Sequence, residues 1–144
     1  MPAKDLHHDQ LKTVLIKDGW TITDDPLRIP FGKRDMYVDL GAGKLMTANK
    51  GDQKIAVELK NFVGASTVHD LHLALGQFFI YLMALKRKEP ERILFLAVSE
   101  VSYDDVFGEE LGDALLKEYK LPLLVFDPDK EVITKWITWN TNDK

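Results

Sequence analysis

The hydrophobic pattern changes its period in the middle of the chain, from the alternation of a strand to the spacing of a helix. KIAVELK (54–60) alternates, and the following stretch, STVHDLHLALGQFFIYLMALKRKEPER, predicts one long helix that is capped by Ser66 or Thr67 and ends before Pro90. RILFLAVS (92–99) is then a continuous apolar run, which is typical of a strand covered on both faces. Because the second half of the helix is apolar nearly all round, we expect it to be largely buried.

The rest of the chain completes the predicted order α-β-β-β-α-β-α-β-β. An early meander followed by strands that helices separate implies a mixed β-sheet flanked by helices, an α/β fold. DDPLRIPFGKRD is predicted as turn, GAG interrupts the second strand before KLMTAN resumes pairing, and NKGDQ (49–53) is a hairpin turn. The remaining predictions are helices over 7–20 and 104–120, strands over 20–23, 36–40, 121–127 and 131–139, and the polar tail NTNDK.

Length and composition fit a single cytoplasmic domain spanning residues 1–144. The chain has no cysteine, which excludes disulfides and Cys-based metal sites and makes the cytosol the default compartment. MPAKDLHHDQ lacks the apolar core of a signal peptide, and the run FFIYLMAL is shorter than the roughly 20 residues that span a bilayer, so no membrane association is expected. The net charge of −4 argues against a protein that coats nucleic acid, but it leaves room for local DNA binding through a basic rim.

Two acidic residues fall on neighbouring strands of the predicted meander. Side chains alternate along a strand, so Glu58 and Lys60 share one face, and Asp39 lies on the face opposite Val38 and Leu40 in its own strand. If the two acidic faces coincide, Asp39 and Glu58 lie close together and repel each other. A divalent cation, Mg²⁺ or Mn²⁺, relieves that repulsion, since such ions take oxygen ligands.

This arrangement suits the hydrolysis of a phosphodiester bond. A bound ion polarises a phosphoryl oxygen and lowers the pKa of a bound water, and the backbone carbonyl of Leu59 is a candidate third ligand. Lys60 supplies a fixed positive charge beside the developing negative charge of the phosphorane and helps to orient the attacking water. The alternative is a solvated strand face, which fits Glu58 and Lys60 equally well when this strand is taken alone.

The long helix adds a polar pair to the pattern. Gln77 interrupts an apolar run, and a buried amide needs hydrogen-bond partners. Tyr81 follows four residues later on the same helix face, and Gly76 allows another backbone to approach closely. The alternative is a buried glutamine whose amide is satisfied by neighbouring carbonyls.

Asp39, the triplet ELK at 58–60, and the spacing Gln77-xxx-Tyr81 together resemble the PD-(D/E)XK nuclease superfamily, the restriction-endonuclease-like fold. The superfamily core order αβββαβ also resembles the predicted order of elements. The resemblance implies metal-binding roles for Asp39 and Glu58, a catalytic role for Lys60, and a helix pair that helps to shape the catalytic pocket, as in the RecB-like branch.

Two positions complete the comparison with that superfamily. Val38 occupies the position of the proline in PD-(D/E)XK, directly before the first acidic residue. Members often carry an acidic residue or a histidine on the first helix, and by position this implies His8 or Asp9.

A second resemblance extends over nearly the whole chain. The blocks LIKDGWTIT, VDLGA, KIAVELKNF, ALGQFFIYL and LLVFDPDKEVITKWI are similar to the XisH family. These are cyanobacterial proteins named as controlling factors for excision of the fdxN element, a DNA segment that site-specific recombination removes. The resemblance implies DNA, a site-specific recombinase and a small XisI-like protein as partners.

Two functions of different classes therefore stand. The first is a Mg²⁺-dependent endonuclease, which the intact set Asp39, Glu58 and Lys60 favours. The second is a non-catalytic recombination accessory factor that uses the nuclease fold to bind DNA or a partner protein, which the acidic net charge favours. The last predicted strand, EVITKWITW, carries apolar groups on both faces. We therefore also expect it, or a neighbouring apolar patch, to be covered by a second chain, either a copy in a homo-oligomer or a partner protein.

Overall fold

The computed structural model describes residues 6–47, 51–62 and 66–139. The helices are α1 (His8–Lys17), α2 (Thr67–Lys88), α3 (Glu100–Ser102), continued by a π-helical turn at Tyr103–Phe107, and α4 (Glu110–Glu118). The strands are β1 (Thr21–Asp24), β2 (Leu27–Phe31), β3 (Arg34–Val38), β4 (Leu40–Thr47), β5 (Gly51–Leu59), β6 (Ile93–Ser99), β7 (Leu123–Asp127) and β8 (Val132–Ile137). Within these ranges, the main sheet has the strand order β1-β4-β5-β6-β7-β8, and β2 pairs only with β3.

The main sheet is mixed and is covered by helices on both faces. Strands β5, β6 and β7 are parallel to one another, whereas the pairs β1–β4, β4–β5 and β7–β8 are antiparallel. Helix α1 packs on one face, and α2, α4 and the β2–β3 hairpin pack on the other. The predicted mixed α/β sheet flanked by helices is therefore confirmed.

Helix α2 begins and ends where the sequence indicates, but its burial differs from the prediction. The Ser66 hydroxyl accepts a hydrogen bond from the His69 N–H at 3.2 Å, and the last helical residue is Lys88. Its inner face carries the buried residues Leu71, Ala74, Phe78, Ala84 and Leu85. The prediction of a largely buried helix is wrong, since only this stripe is fully buried and the opposite side of the helix is exposed. By length and composition α2 could cross a membrane, but its buried stripe belongs to the core of the folded chain.

The segment DDPLRIPFGKRD contains strands as well as turns, so its prediction as turn is wrong. In β2, Leu27 and Ile29 are buried while their neighbours are exposed, as a strand requires. Pro30 lacks an N–H group but lies in a two-stranded hairpin, where an edge position tolerates it. Gly32 has a φ of +59° in the tight turn between Phe31 and Arg34.

Strand β4 runs through GAG, which was predicted to interrupt it. Gly41 pairs with both β1 and β5, and an added Cβ there would lie 2.8 Å from the carboxylate of Asp24. The glycine therefore leaves room for the side chains of Asp24 and Arg92 and does not break the strand. Gly51, Asp52 and Gln53 were predicted as turn but belong to β5, where Gly51 pairs with Thr47 of β4, so this part of the prediction is wrong. The other predicted turn residues, Asn49 and Lys50, lie outside the described residues.

The last third of the chain follows the predicted order with two changes. The helix predicted over 104–120 is divided into the π-helical turn and α4 at Gly108. Strand β8 contains a bulge at Thr134, whose hydroxyl donates to the Val125 carbonyl at 3.1 Å. Ile133 and Trp136 consequently both pack on the α1 side, although strict alternation along a strand would place them on opposite faces. The predicted polar tail at 140–144 lies outside the described residues.

Candidate functional site

Asp39 lies at the junction of β3 and β4, where the chain leaves the hairpin and enters the main sheet. Val38 packs into the core on the α2 side of the sheet, whereas Leu40 packs into the core on the α1 side. The prediction of one strand with Val38 and Leu40 on the same face is therefore wrong. The change of side at Asp39 nevertheless brings this residue beside Glu58 at the end of β5.

Two reciprocal hydrogen bonds hold the acidic pair together. The Asp39 N–H donates to Glu58 Oε1 at 3.1 Å, and the Leu59 N–H donates to Asp39 Oδ2 at 2.8 Å. Each carboxylate therefore accepts a backbone donor from the strand that carries the other. This pairing fixes both side chains at the end of the antiparallel β4–β5 ladder, next to the pair Leu40 and Val57.

Lys60 completes a compact cluster of three charged groups. Its Nζ lies 3.3 Å from Glu58 Oε2, and its N–H donates to the Ala97 carbonyl at 2.9 Å, which anchors the residue to β6. The Glu58 side chain is 6% exposed and that of Lys60 is 22% exposed. The pair on the same strand face is therefore not a solvated surface, because Glu58 is enclosed and Lys60 is half-buried.

The environment of Glu58 opposes its ionisation. Burial, and secondly the negative charge of Asp39, raise the pKa of Glu58 to about 7, although the Lys60 ammonium and the Asp39 N–H favour the charged form. A carboxyl group that titrates near neutral pH, close to another carboxylate, is a frequent property of functional sites. A positive ion between the two carboxylates would favour the ionised form of both.

Tyr81 lies on the inner side of α2, within electrostatic reach of the carboxylates. Burial, followed by the negative charges of Glu58 and Asp39, raises the pKa of Tyr81 to about 12. Its ring packs against the core on the α2 side. The phenol is therefore a neutral hydroxyl at physiological pH.

Gln77 occupies a different environment from the one predicted. The residue is exposed on α2, so the expectation of a buried amide is wrong. The pattern was misleading because the apolar run around Gln77 includes residues that face solvent, such as Ile80, which is 52% exposed. A role for Gln77 at the site stays a prediction.

The two first-helix candidates have partners of their own. His8 is buried, and its Nε2 lies 2.8 Å from Asp25 Oδ1, while Lys12 Nζ lies 2.7 Å from Asp25 Oδ2. Asp9 is exposed in the first turn of α1. Sequence reasoning missed Asp25, because it was assigned to a turn and no periodic pattern linked it to His8.

The donor set at the carboxylate pair fits a hard divalent cation. Asp39 and Glu58 offer carboxylate oxygens, and Mg²⁺ commonly binds through one or two carboxylates while it keeps several waters. Among the described residues, no group of three or more His, Cys, Asp or Glu side chains is arranged to hold a metal ion. A bound ion would therefore need oxygen ligands beyond these two side chains, such as the predicted Leu59 carbonyl.

A basic cluster forms where the β2–β3 hairpin meets the end of α2. Arg87 and Lys88 approach the ring of Phe31, with distances to its centroid of 5.8 and 5.7 Å. Lys33 and Arg34 are exposed in the hairpin next to that ring. Their grouping depends on the β2–β3 hairpin, which the sequence did not predict.

A cavity of about 230 Å³ lies on the opposite face of the sheet from the carboxylate pair. It is lined by Asp18, Trp20, Lys44, Gln53, Phe95, Trp136 and Thr138. The aromatic rings pack on one another, with the centroids of Phe95 and Trp136 5.0 Å apart. The aromatic residues that line the cavity therefore belong to the hydrophobic core on the α1 side of the sheet.

Comparison with known proteins gives one consistent result. A sequence model of the XisH protein family matches residues 1–134. An XisH family protein from Nostoc punctiforme PCC 73102 is 38% identical to this chain in sequence, and its crystal structure matches with a TM-score of 0.83. The match covers 93% of this chain and 100% of that chain. An fdxN element excision controlling factor protein from Anabaena variabilis is 40% identical to this chain in sequence, and its crystal structure matches with a TM-score of 0.83. This match covers 94% of this chain and 100% of that chain. No curated protein matches the chain.

Proposed function

The chain belongs to the XisH family, and from this premise we propose that it acts in the programmed excision of a DNA element as a metal-dependent endonuclease. The relative from Anabaena variabilis carries the description of an excision controlling factor, which supports the role in excision. The observation that carries the enzymatic part is the enclosed pair Asp39 and Glu58 with Lys60 at 3.3 Å.

The proposal includes a restriction-endonuclease-like core of the PD-(D/E)XK type. Helix α1, the antiparallel strands β4 and β5, helix α2 and the parallel strand β6 supply elements that such a core requires. An acid precedes β4, and the E-x-K triplet ends β5 and continues one residue beyond it. The hairpin β2–β3 is then an insertion before the acid.

Asp39 and Glu58 would hold Mg²⁺ or Mn²⁺, with the Leu59 carbonyl as a further ligand. When bound, the ion supplies Lewis-acid polarisation of a phosphoryl oxygen. The protein's contribution is to keep the two carboxylates fixed by backbone hydrogen bonds and shielded from bulk water. Because Glu58 titrates near neutral pH, it must lose its proton before the pair offers two negative charges.

Lys60 and Tyr81 act on the substrate in this proposal. The Lys60 ammonium carries a fixed positive charge on the solvent side of Glu58, where it neutralises charge that develops on the phosphate and orients the attacking water. Tyr81 remains protonated at neutral pH, so its hydroxyl donates a hydrogen bond without adding negative charge. Gln77 lies one turn before Tyr81 and is exposed, where it contacts the DNA strand rather than the ion.

The basic cluster supports DNA as the substrate despite the acidic net charge. Arg87 and Lys88 approach the Phe31 ring, Arg34 is the cross-strand partner of Phe31, and strand β3 runs from Arg34 to the residue before Asp39. Lys33 is exposed in the turn of the same hairpin. Such a cluster holds the phosphate backbone at the hairpin turn, roughly 16 Å along β3 from Asp39, without sequence recognition. A recombinase and a small XisI-like protein are the proposed partners, and the cytoplasm is the proposed location.

A cleavage assay tests the endonuclease. Wild-type protein is incubated with supercoiled, linear and branched DNA in Mg²⁺ or Mn²⁺, and the products are resolved on gels. We expect cleavage by the wild type and its loss in Glu58→Gln and Lys60→Met. The matched controls are Glu118→Gln and Lys117→Met at exposed positions of α4, which should cleave like the wild type.

The alternative is a non-catalytic accessory factor that binds DNA or a partner through the same fold. The net charge of −4 favours it, as does the lack of a third acidic or histidine side chain beside the pair in the described part of the chain. This alternative requires that the wild type cleaves no form of DNA with either ion, alone or with its partners, while Glu58→Gln retains wild-type binding.

A further inference from the structure

Helix α2 presents an apolar stripe to solvent on the side away from the sheet. Leu73 is 57% exposed, Ile80 is 52% exposed and Met83 is 39% exposed, and Gly76 lies between them. An added Cβ at Gly76 would meet nothing within 4 Å, so the stripe has a notch at its centre. Exposed apolar patches of this kind commonly mark interaction sites.

The spacing of the stripe is that of a helix that packs against another helix. Its members follow one another at alternating intervals of four and three residues, and all are exposed: His69, Leu73, Gly76, Ile80, Met83 and Arg87. This is the a/d spacing of a coiled-coil seam. The order of the intervals is the same from either end of the helix, so the stripe can pack against an antiparallel copy of itself.

We propose that this stripe is the interface of a two-fold homodimer, in which α2 packs antiparallel to α2 of a second copy. A two-fold axis at the level of Phe78 places Leu73 opposite Met83 of the second copy. It also places Ile80 opposite the notch at Gly76, so that a large side chain fills the space that the glycine leaves. A symmetric interface of this type makes each such contact twice.

The charges along α2 favour the antiparallel arrangement. The first turn carries Asp70, and the last turn carries Lys86, Arg87 and Lys88. The same axis that pairs Leu73 with Met83 places Asp70 opposite Lys86 of the second copy. A parallel arrangement would instead bring the two basic ends together and leave the two glycines facing each other, with repulsion at one place and a gap at the other.

The first experiment measures the mass of the protein in solution by light scattering and sedimentation. We expect a dimer for the wild type and a monomer for Ile80→Glu, with the dissociation constant raised by more than about tenfold. The matched control is Ile16→Glu, because Ile16 is 57% exposed on α1, and this variant should remain a dimer. Circular dichroism checks that each variant is folded.

Gly76→Gln is a second variant, and unlike Ile80→Glu it introduces no charge into the proposed interface. In a monomer this change meets open space and removes a helix glycine, so the fold is not weakened. In the dimer it fills the notch and should raise the dissociation constant by more than about tenfold. A wild type that is monomeric, or a dimer that survives both Ile80→Glu and Gly76→Gln, overturns the proposal.

Cysteine cross-linking tests the register, since the chain has no cysteine of its own. Leu73→Cys and Met83→Cys are prepared separately, mixed and oxidised. The mixture should give a disulfide-linked dimer, and either variant alone should not. Cross-linking of each variant alone at the same rate contradicts the antiparallel arrangement. A monomer that binds neutral lipid vesicles or only a different protein through this stripe also overturns the proposal.

Discussion

The acidity of Glu58 is determined by its burial and by its charged neighbours. Its side chain is enclosed, it faces the carboxylate of Asp39, and both of its oxygens have partners, the Asp39 N–H and the Lys60 ammonium. An ionised glutamate in this position is unfavourable when no cation is bound. The free-energy cost of desolvation and of repulsion by Asp39 exceeds the stabilisation that the Asp39 N–H and the Lys60 ammonium provide. In the proposed function, the acidity of this one group would therefore link the stability of the chain to metal binding.

The stability of the metal-free protein should depend on pH through Glu58. The folded chain keeps the proton up to a pKa of about 7, whereas the ordinary pKa of the group, taken for the unfolded chain, is 4.5. The free energy of unfolding therefore falls as the pH rises between these values. The loss approaches roughly 3 kcal/mol above pH 7. Glu58→Gln removes it, so this variant should be more stable than the wild type at pH 8 and equal to it near pH 4.5. Urea unfolding in the presence of a chelator measures the difference.

Glu118→Gln is the control for this pH series, because Glu118 is exposed on α4. Its curve of unfolding free energy against pH should follow that of the wild type. If Glu58→Gln also runs parallel to the wild type across the range, Glu58 does not titrate near neutral pH and the description of its environment is incorrect.

Asp25 should show the opposite dependence on pH. Although burial acts to raise its pKa, hydrogen bonds from Lys12 and His8 outweigh burial and lower the pKa below 3.8. The resulting stability is present above that value and is lost as the pH falls through the lowered pKa. Asp25→Asn should therefore reduce the free energy of unfolding by about 1 kcal/mol at pH 7 and by little near pH 2. An equal reduction at both pH values would show that the effect is not electrostatic.

Lys60→Met should separate the two roles at the site. Methionine keeps the apolar stem but removes the charge, so the carboxylate pair remains and stabilisation by Mn²⁺ should persist, while DNA cleavage should be lost. Thermal unfolding with and without Mn²⁺, together with the cleavage assay, measures both. Loss of metal stabilisation along with cleavage would assign Lys60 to the support of the pair rather than to the substrate.

At the scale of elements, the junction of α4 with the preceding π-helical turn depends on a glycine. An added Cβ at Gly112 would overlap the backbone oxygen of Val106, and backbone cannot move as a flexible side chain does. Gly112→Ala should lower the free energy of unfolding by roughly 1–3 kcal/mol. Gly43→Ala in β4 is the control, since its nearest atom would lie 3.7 Å away, and it should change stability by less than about 0.5 kcal/mol. Thermal unfolding compares them, and equal effects would contradict the packing.

Strands and helices whose hydrophobic pattern has one clear period could be predicted from the sequence. Features that depend on which strands lie next to each other in the fold could not. The alternation in β5 correctly gave Glu58 and Lys60 a common face, and the caps of α2 were correct. The hairpin β2–β3 was missed because prolines and a glycine outweighed the alternation of Leu27 and Ile29. Gly41 was taken as a break because nothing in the sequence shows that β1 approaches β4 there.

At the scale of the whole molecule, the site arises where two sheets meet. The hairpin packs on the α2 side, the main sheet continues beyond it, and Asp39 is the residue at which the chain passes from one to the other. The sequence paired Asp39 with Glu58 through a face argument that was wrong, because it treated the two strands as one. The outer stripe of α2 could not be predicted either, since the sequence does not distinguish an apolar side that meets the core from one left for another chain.

The central claim is that Asp39 and Glu58 form a cation site, and thermal unfolding tests it without knowledge of the DNA substrate. An ion that binds only the folded chain stabilises it by RT ln(1 + [L]/Kd), which is about 2.7 kcal/mol at 100 times Kd and raises the melting temperature by several degrees. The wild type should show this shift with Mn²⁺ or Mg²⁺, Glu58→Gln should show none, and Glu118→Gln should match the wild type. The absence of a shift in the wild type, or an equal shift in Glu58→Gln, would contradict the claim.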